Sequence, residues 1–326
     1  MRWFGPEAIL GECPRWDDST QRLTWVDIDG GTLHEAMPGA GGWVTVQHDV
    51  AASLAGAVLL EARGTPDAED GENGENGEAG EAGEEERWLV AVGGSLAEWA
   101  VPGGLGPRRV VEAESAACPV RLNEVVTDPC GRLWIGSMAY DWTEGAGSFY
   151  RVDLDGSVHR VLEDITISNG IGWSPDTETM YTTDTAAGRI TAWAFDSDAG
   201  AVSRPRSFVD AGPDEGRPDG LAVDMDGNVW SAFAGGFHVS CFDPSGREIE
   251  RVRIPAPNPT SCCFAGPGRD RLIVTTGRKR LPPDVLVSYP DSGRTWDAGV
   301  VGARGLPQHR GRVRLADQQE VRPDGR

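Results

Sequence analysis

Short apolar runs recur along this chain, separated by polar, glycine-containing breaks. The clearest unit is Arg217-Pro218-Asp219-Gly220-Leu221-Ala222-Val223, then the acidic break Asp224-Met225-Asp226-Gly227-Asn228, then Val229-Trp230. It predicts a strand, a tight turn and a second strand, with a carboxylate just ahead of the first apolar run. The same pattern follows Asn123 (Asn123-Glu124-Val125-Val126-Thr127-Asp128-Pro129-Cys130-Gly131-Arg132-Leu133-Trp134), Asn169 (through Pro175-Asp176 to Met180-Tyr181) and Glu12 (through Trp16-Asp17-Asp18 to Leu23-Thr24-Trp25). Weaker copies begin near Ser53 and Thr260.

The six heads, Glu12, Ser53, Asn123, Asn169, Asp219 and Thr260, are spaced by 41, 70, 46, 50 and 41 residues. The long step contains a segment of foreign composition, Gly64 to Glu86, reading GTPDAEDGENGENGEAGEAGEEE. Without those 23 residues the step is 47. Short strands at a period of about 40 to 50 residues are the signature of propeller blades. The expected fold is therefore all-β: a six-bladed β-propeller with four antiparallel strands per blade. Heads placed where each innermost strand begins would bring distant polar side chains to one axis. The segment before Glu12 is expected to add an outer strand to the last blade, closing the ring and removing exposed edges.

The repeat argues for one domain over residues 1–310, with 64–86 a disordered acidic insert in blade 2 and 311–326 a flexible C-terminal tail. Helical periodicity is absent, and the last blade is expected to hold strands at Leu272–Thr276 and Val285–Tyr289.

Charge narrows the partners. The formal net charge is −21, from 30 basic and 51 acidic residues, and ten of the acids lie in the insert. This balance argues against nucleic acid and anionic membranes. The insert lacks EF-hand spacing and reads as a solvated loop. No apolar run reaches the ~20 residues of a membrane helix, and Met1-Arg2-Trp3-Phe4-Gly5-Pro6 lacks the core of a signal peptide, so a cytoplasmic location is expected. The six cysteines show no Cys-x-x-Cys spacing and are expected to be reduced.

At the heads, Glu12, Asn169 and Asp219 offer oxygen donors, and no histidine or cysteine heads a unit. That favours one hard divalent cation, calcium, magnesium or manganese, over zinc. The competing reading is that Asn and Asp only cap strand starts and turns. Arg121 stands two residues before Asn123, so on an extended segment both face the same way. Its guanidinium could hold substrate oxygens and a developing oxyanion, or could simply neutralise channel carboxylates. The five histidines lie off the heads, and no serine–histidine–aspartate arrangement is visible.

Gly11-Glu12-Cys13-Pro14-Arg15-Trp16, Arg121-Leu122-Asn123-Glu124 with Asp128-Pro129-Cys130-Gly131-Arg132-Leu133-Trp134-Ile135-Gly136-Ser137-Met138, Ser168-Asn169-Gly170-Ile171-Gly172-Trp173-Ser174-Pro175-Asp176 and Arg217-Pro218-Asp219-Gly220-Leu221-Ala222-Val223-Asp224 occur in this order. Together they resemble the senescence marker protein 30 / gluconolactonase / regucalcin family, from about residue 5 to about 308 apart from the insert. The resemblance implies a six-bladed propeller, one divalent metal in the channel and hydrolysis of sugar lactones. It implies Glu12, Asn169 and Asp219 as metal ligands, and Arg121 and Asn123 as substrate contacts. The family usually has Asn-Asp-Gly where this chain has Asn123-Glu124-Val125, which bears on substrate specificity. Glu144, in the loop Asp141-Trp142-Thr143-Glu144-Gly145, falls where the family often places a substrate-contacting acid.

The leading expectation is a gluconolactonase-like, metal-dependent hydrolase using activated water, with Asp219 as general base and Arg121 steadying the reacting carbonyl. Its partner would be a small sugar lactone, and the chain a monomer or weak homodimer. The alternatives are a related propeller hydrolase acting on other lactones or phosphate esters, and a non-catalytic calcium-binding, regucalcin-like protein.

Overall fold

The computed structural model describes residues 1–50, 53–61, 86–101, 104–110 and 118–314. Most of the acidic insert, 64–85, and the end of the chain, 315–326, therefore lie outside the described residues.

Six four-stranded antiparallel sheets form the six blades. The innermost strands are Gly11–Asp17, Leu54–Leu59, Val120–Thr127, Ser168–Trp173, Arg217–Val223 and Pro259–Ala265. They are buried along almost their whole length, whereas outer strands such as Glu248–Arg253 are largely exposed. Apolar side chains between adjacent blades build the core as a ring of wedges. One wedge packs Leu122, Val125, Leu133 and Ile135 against Val58, Leu89 and Leu96 of the preceding blade.

Repeated sequence makes repeated turns. In blade three, Asp128 Oδ1 accepts hydrogen bonds from the backbone N–H of Cys130 and Arg132, and its Oδ2 accepts from Trp134 Nε1 at 3.2 Å. In blade five, Asp224 does the same for Asp226, Asn228 and Trp230, the last at 2.9 Å. The turns close on Gly131 and Gly227, both with φ above +80°. One aspartate thus shapes the turn and satisfies the indole buried beneath it.

The ring closes as expected. Arg2–Phe4 pairs antiparallel with Thr295–Val300 and becomes the outer strand of the sixth blade. Phe4 stacks on Trp43 at 5.2 Å and meets Trp25 edge-on at 5.6 Å, joining the chain's first residues to the core of blade one.

Two expectations are corrected. Val285–Tyr289 is not a strand: Pro283–Ser288 is a short helix with no buried residue, and blade six takes Thr295–Val300 as its third strand. Proline at the first helical position and Asp284 in the first turn start a helix that the β-branched run concealed. Residues 311–314, expected in the tail, are held in place. Gly311 exchanges backbone hydrogen bonds with Leu59 and Glu61, Arg312 bonds to Gly131, and Val313 is buried. Upstream, Leu306 bonds to Val223, the Gln308 side chain accepts from Trp16 N–H, and Arg310 grips Asp17. Residues 305–314 therefore form a strap across the end of the channel away from the heads.

Candidate active site

All six inner strands carry a register irregularity at the head: Glu12/Arg15, Leu54/Gly56, Leu122/Val125, Asn169/Ile171, Pro218/Leu221 and Pro259/Ser261. A bulge inserts an unpaired residue and turns its side chain off the sheet's regular alternation. Beside these irregularities, five of the six heads, Glu12, Asn123, Asn169, Asp219 and Thr260, line the channel, whereas Ser53 stands ahead of the Leu54–Leu59 strand and is not in that lining. Glycine follows where neighbouring inner strands come closest. A Cβ at Gly170 would lie 2.7 Å from the Asp219 carbonyl oxygen, and one at Gly220 would lie 2.4 Å from Ser261 Cβ.

Glu12, Arg121, Asn123, Asn169 and Asp219 all line one cavity of about 560 Å³ at the mouth of the channel. All five are buried. Asn123 donates from Nδ2 to the Ser168 carbonyl at 2.6 Å and to Asn169 Oδ1 at 2.9 Å. Asn169 in turn donates from its own Nδ2 to Thr185 Oγ1 at 2.8 Å, and Thr185 donates to the Pro218 carbonyl at 2.8 Å. This chain fixes the rotation of both amides and aims Asn169 Oδ1 toward Asn123. Arg121 donates to the Leu122 carbonyl at 3.0 Å.

The carboxylates are poorly satisfied. Glu12 Oε2 and Asp219 Oδ1 are buried without a hydrogen-bond partner. Burial pushes Glu12 well above the usual carboxylate range, and the negative charges of Asp219 and Glu124 push it further. Asp219 is raised by burial and then by Glu124, with Arg121 opposing. Burial also holds Arg121 below its ordinary value. Among the described residues no three His, Cys, Asp or Glu side chains cluster as a metal site.

Glu124 takes the place that glycine holds in blades four and five. Its Oε1 accepts from the Cys13 thiol at 3.3 Å, and burial raises the carboxyl to about 7. Burial likewise pushes the Cys13 thiol up, which makes it a packing residue rather than a nucleophile. Beyond this pair a second cavity of about 350 Å³ lies under the strap, lined by Arg15, Trp173, Phe264 and His309 among others.

Not every expected residue arrives. Glu144 is exposed and lies outside the cavity lining. The same loop instead contributes Trp142, which carries the Arg280 guanidinium 3.8 Å above its ring. Sequence reading also missed Thr185, Arg217, Lys279 and Arg280. Their one signal was Arg217, two residues before Asp219 on the same strand.

Comparison with known proteins agrees with this architecture. The family described as SMP-30/Gluconolactonase/LRE-like region matches residues 10–278. The chain is 34% identical to pentonolactonase XacC of Haloferax volcanii, over 94% of this chain and 96% of that one. A luciferin-regenerating enzyme superposes with a TM-score of 0.78 at 26% identity, covering 95% of this chain and 96% of the other. Regucalcin of Agrobacterium tumefaciens, described as a calcium-binding protein, gives 0.77 at 27% identity, covering 96% and 98%. A bulged inner strand in every blade, four family motifs in order and a match over most of the chain lead to one conclusion: this protein belongs to the SMP-30/gluconolactonase/LRE-like family.

Proposed function

We propose that this protein is a hydrolase that opens sugar lactones with the help of one divalent cation. The observation that carries the reading is the pair of buried carboxylates, Glu12 and Asp219, each with an unpartnered oxygen, at the base of a cavity that also holds Arg121 and Asn123. The relative named a pentonolactonase, aligned nearly end to end, supports it.

The donor chemistry suits a hard cation. Two like charges buried side by side are costly without a counter-charge. Glu12, Asp219 and the Asn169 amide oxygen would hold calcium, magnesium or manganese through oxygen. When bound, such a cation supplies Lewis acidity to the lactone carbonyl.

The chain's own groups do the rest. Asp219 takes the proton of the attacking water on its unpartnered carboxylate oxygen. Water oxygen bonds to the carbonyl carbon, the ring C–O bond breaks, and Asp219 returns the proton to the departing ring oxygen, which leaves as a hydroxyl. The product is the open hydroxy acid. Arg121, buried and held against the Leu122 carbonyl, donates toward the carbonyl oxygen as it gains charge. Asn123 spends both Nδ2 hydrogens on Ser168 and Asn169, so its own Oδ1 is left to accept a sugar hydroxyl.

A pH-stat assay of gluconolactone opening, with calcium, magnesium or manganese added, tests this. The reading expects turnover in the wild type and its loss in Asp219→Ala. Undiminished turnover in the variant removes it. Binding of metal without hydrolysis of any lactone supports the alternative, a non-catalytic calcium protein like the solved regucalcin neighbour.

A further inference from the structure

The mouth of the cavity is cationic in a strongly acidic protein. Arg121, Arg217, Lys279 and Arg280 all line it, on a chain of net charge −21. Lys279, the chain's sole lysine, is bound to Asp29 at 2.7 Å. Several exposed bases of the blades are paired in the same way, as Arg189 is by Asp210 and Arg251 by Glu248. Arg121, Arg217 and Arg280 differ: among the described residues none of the three has a carboxylate at ion-pair distance.

These guanidiniums are placed, not merely exposed. Arg280 has φ +62° and Trp142 has φ +64°, both in the left-handed region that costs non-glycine residues about 1 kcal/mol or more. Two loops each accept that strain, and together they hold Arg280 over the indole face. Arg217 lies against the turn at Gly188, where an added Cβ would come within about 2.5 Å of its Nη1. Gly188 is itself at φ +67°, so the turn leaves room for the guanidinium.

A divalent cation would match the charges of Glu12 and Asp219 and leave three unpaired guanidiniums around the substrate space. A neutral sugar lactone gives such groups nothing to bind beyond hydroxyls. We propose that the preferred substrate is an anionic sugar lactone, with a carboxylate or phosphate at the end of the sugar away from the lactone carbonyl. Arg217 and Arg280 hold that group, while Arg121 serves the carbonyl. Planar guanidinium forks match both kinds of oxyanion, and the cationic mouth draws them in. This inference rests on the lactonase reading for its reaction but not for its binding.

The test compares four lactones on the metal-supplemented protein: glucono-1,5-lactone and galactono-1,4-lactone as neutral probes, glucaro-1,4-lactone as the carboxylate and 6-phosphoglucono-1,5-lactone as the phosphate. The proposal expects kcat/KM for one or both anionic lactones to exceed the neutral ones by about tenfold or more, and the advantage to shrink with added salt. Arg217→Gln and Arg280→Gln should each cut the anionic-to-neutral ratio by about tenfold. The charge-retaining Arg280→Lys should recover part of it. Calorimetric titration with glucarate, 6-phosphogluconate and gluconate gives a second readout that needs no turnover. Tighter binding of glucarate and 6-phosphogluconate than of gluconate, lost in Arg280→Gln, upholds the inference even if no lactone is opened. Equal kcat/KM for charged and neutral lactones, or binding of glucarate and 6-phosphogluconate untouched by both glutamine substitutions, overturns it while leaving the lactonase reading standing.

Discussion

Asn123 Nδ2 donates to Asn169 Oδ1 across 2.9 Å, joining the heads of two adjacent blades through their side-chain amides. Thr185 completes the relation by accepting from the other end of the Asn169 amide. The order of donors leaves only one sensible rotation for Asn169, with its oxygen toward Asn123 and its nitrogen toward Thr185. Thr185 is therefore a positioning residue. Thr185→Val keeps the shape and removes the acceptor, so Asn169 Nδ2 is left unpaired. We expect apparent affinity for manganese or calcium to fall about 10- to 100-fold, as when a ligand loses the partner that orients it. Thr185→Ser should restore it. Titration of the metal-free protein, read by calorimetry, checks both.

The buried carboxyls set a pH dependence of the metal-free protein. Glu12, Asp219 and Glu124 hold their protons more tightly folded than unfolded. Their contribution to stability is fully present below their ordinary values near 4 and is lost as pH rises through the folded values. For Glu124 that window closes at about 7. Thermal melts of chelator-treated protein between pH 5 and 8 should show Tm falling with pH, and Glu124→Gln should flatten part of the slope. A saturating divalent cation should reverse the trend at the upper end, because it favours the charged forms of Glu12 and Asp219.

Val125 sits opposite Gly56. A Cβ at Gly56 would lie 3.1 Å from Val125 Cβ and 3.2 Å from its Cγ2. The departure from the family's glycine at 125 is thus accommodated by a glycine on the adjacent blade. Gly56→Ala should destabilise by about 1–3 kcal/mol through overpacking, and adding Val125→Ala should recover much of it. Urea unfolding of the two variants measures both terms.

Much of this was legible because the repeat carries its chemistry in phase. Asp128 with Trp134 and Asp224 with Trp230 mark turn and buried indole at one spacing, so blades can be counted. Glu12, Asn123, Asn169 and Asp219 stand at equivalent points, so their meeting in one cavity follows from counting. The cavity's upper wall was not legible. Trp142, Thr185 and Arg280 come from connecting loops, where no period ties one blade to the next. Glu144 was assigned by position in such a loop, and the left-handed backbone at Trp142 presents the indole instead. Val285-Leu286-Val287 read as a strand because β-branched residues favour sheets, but the two prolines ahead of them start a helix. The strap at 305–314 is polar and aperiodic, and its backbone hydrogen bonds hold it across four blades.

Ring closure rests on few residues. The Arg2–Phe4 strand is three residues long, and Phe4 is its single buried side chain. Phe4→Ala should cost about 3–5 kcal/mol, and if the last blade opens as a unit, amide exchange in Thr295–Val300 should rise more than in blades three to five. Hydrogen exchange measured by mass spectrometry reads the difference directly.

The account depends most on Glu12, Asn169 and Asp219 holding one divalent ion. Calorimetric titration of metal-free protein with calcium and with manganese, in the wild type and in Glu12→Gln and Asp219→Asn, tests this. The account predicts one ion per chain in the wild type and a loss of about 100-fold or more in affinity in each variant. No binding in the wild type, or binding in both variants as tight as in the wild type, contradicts it.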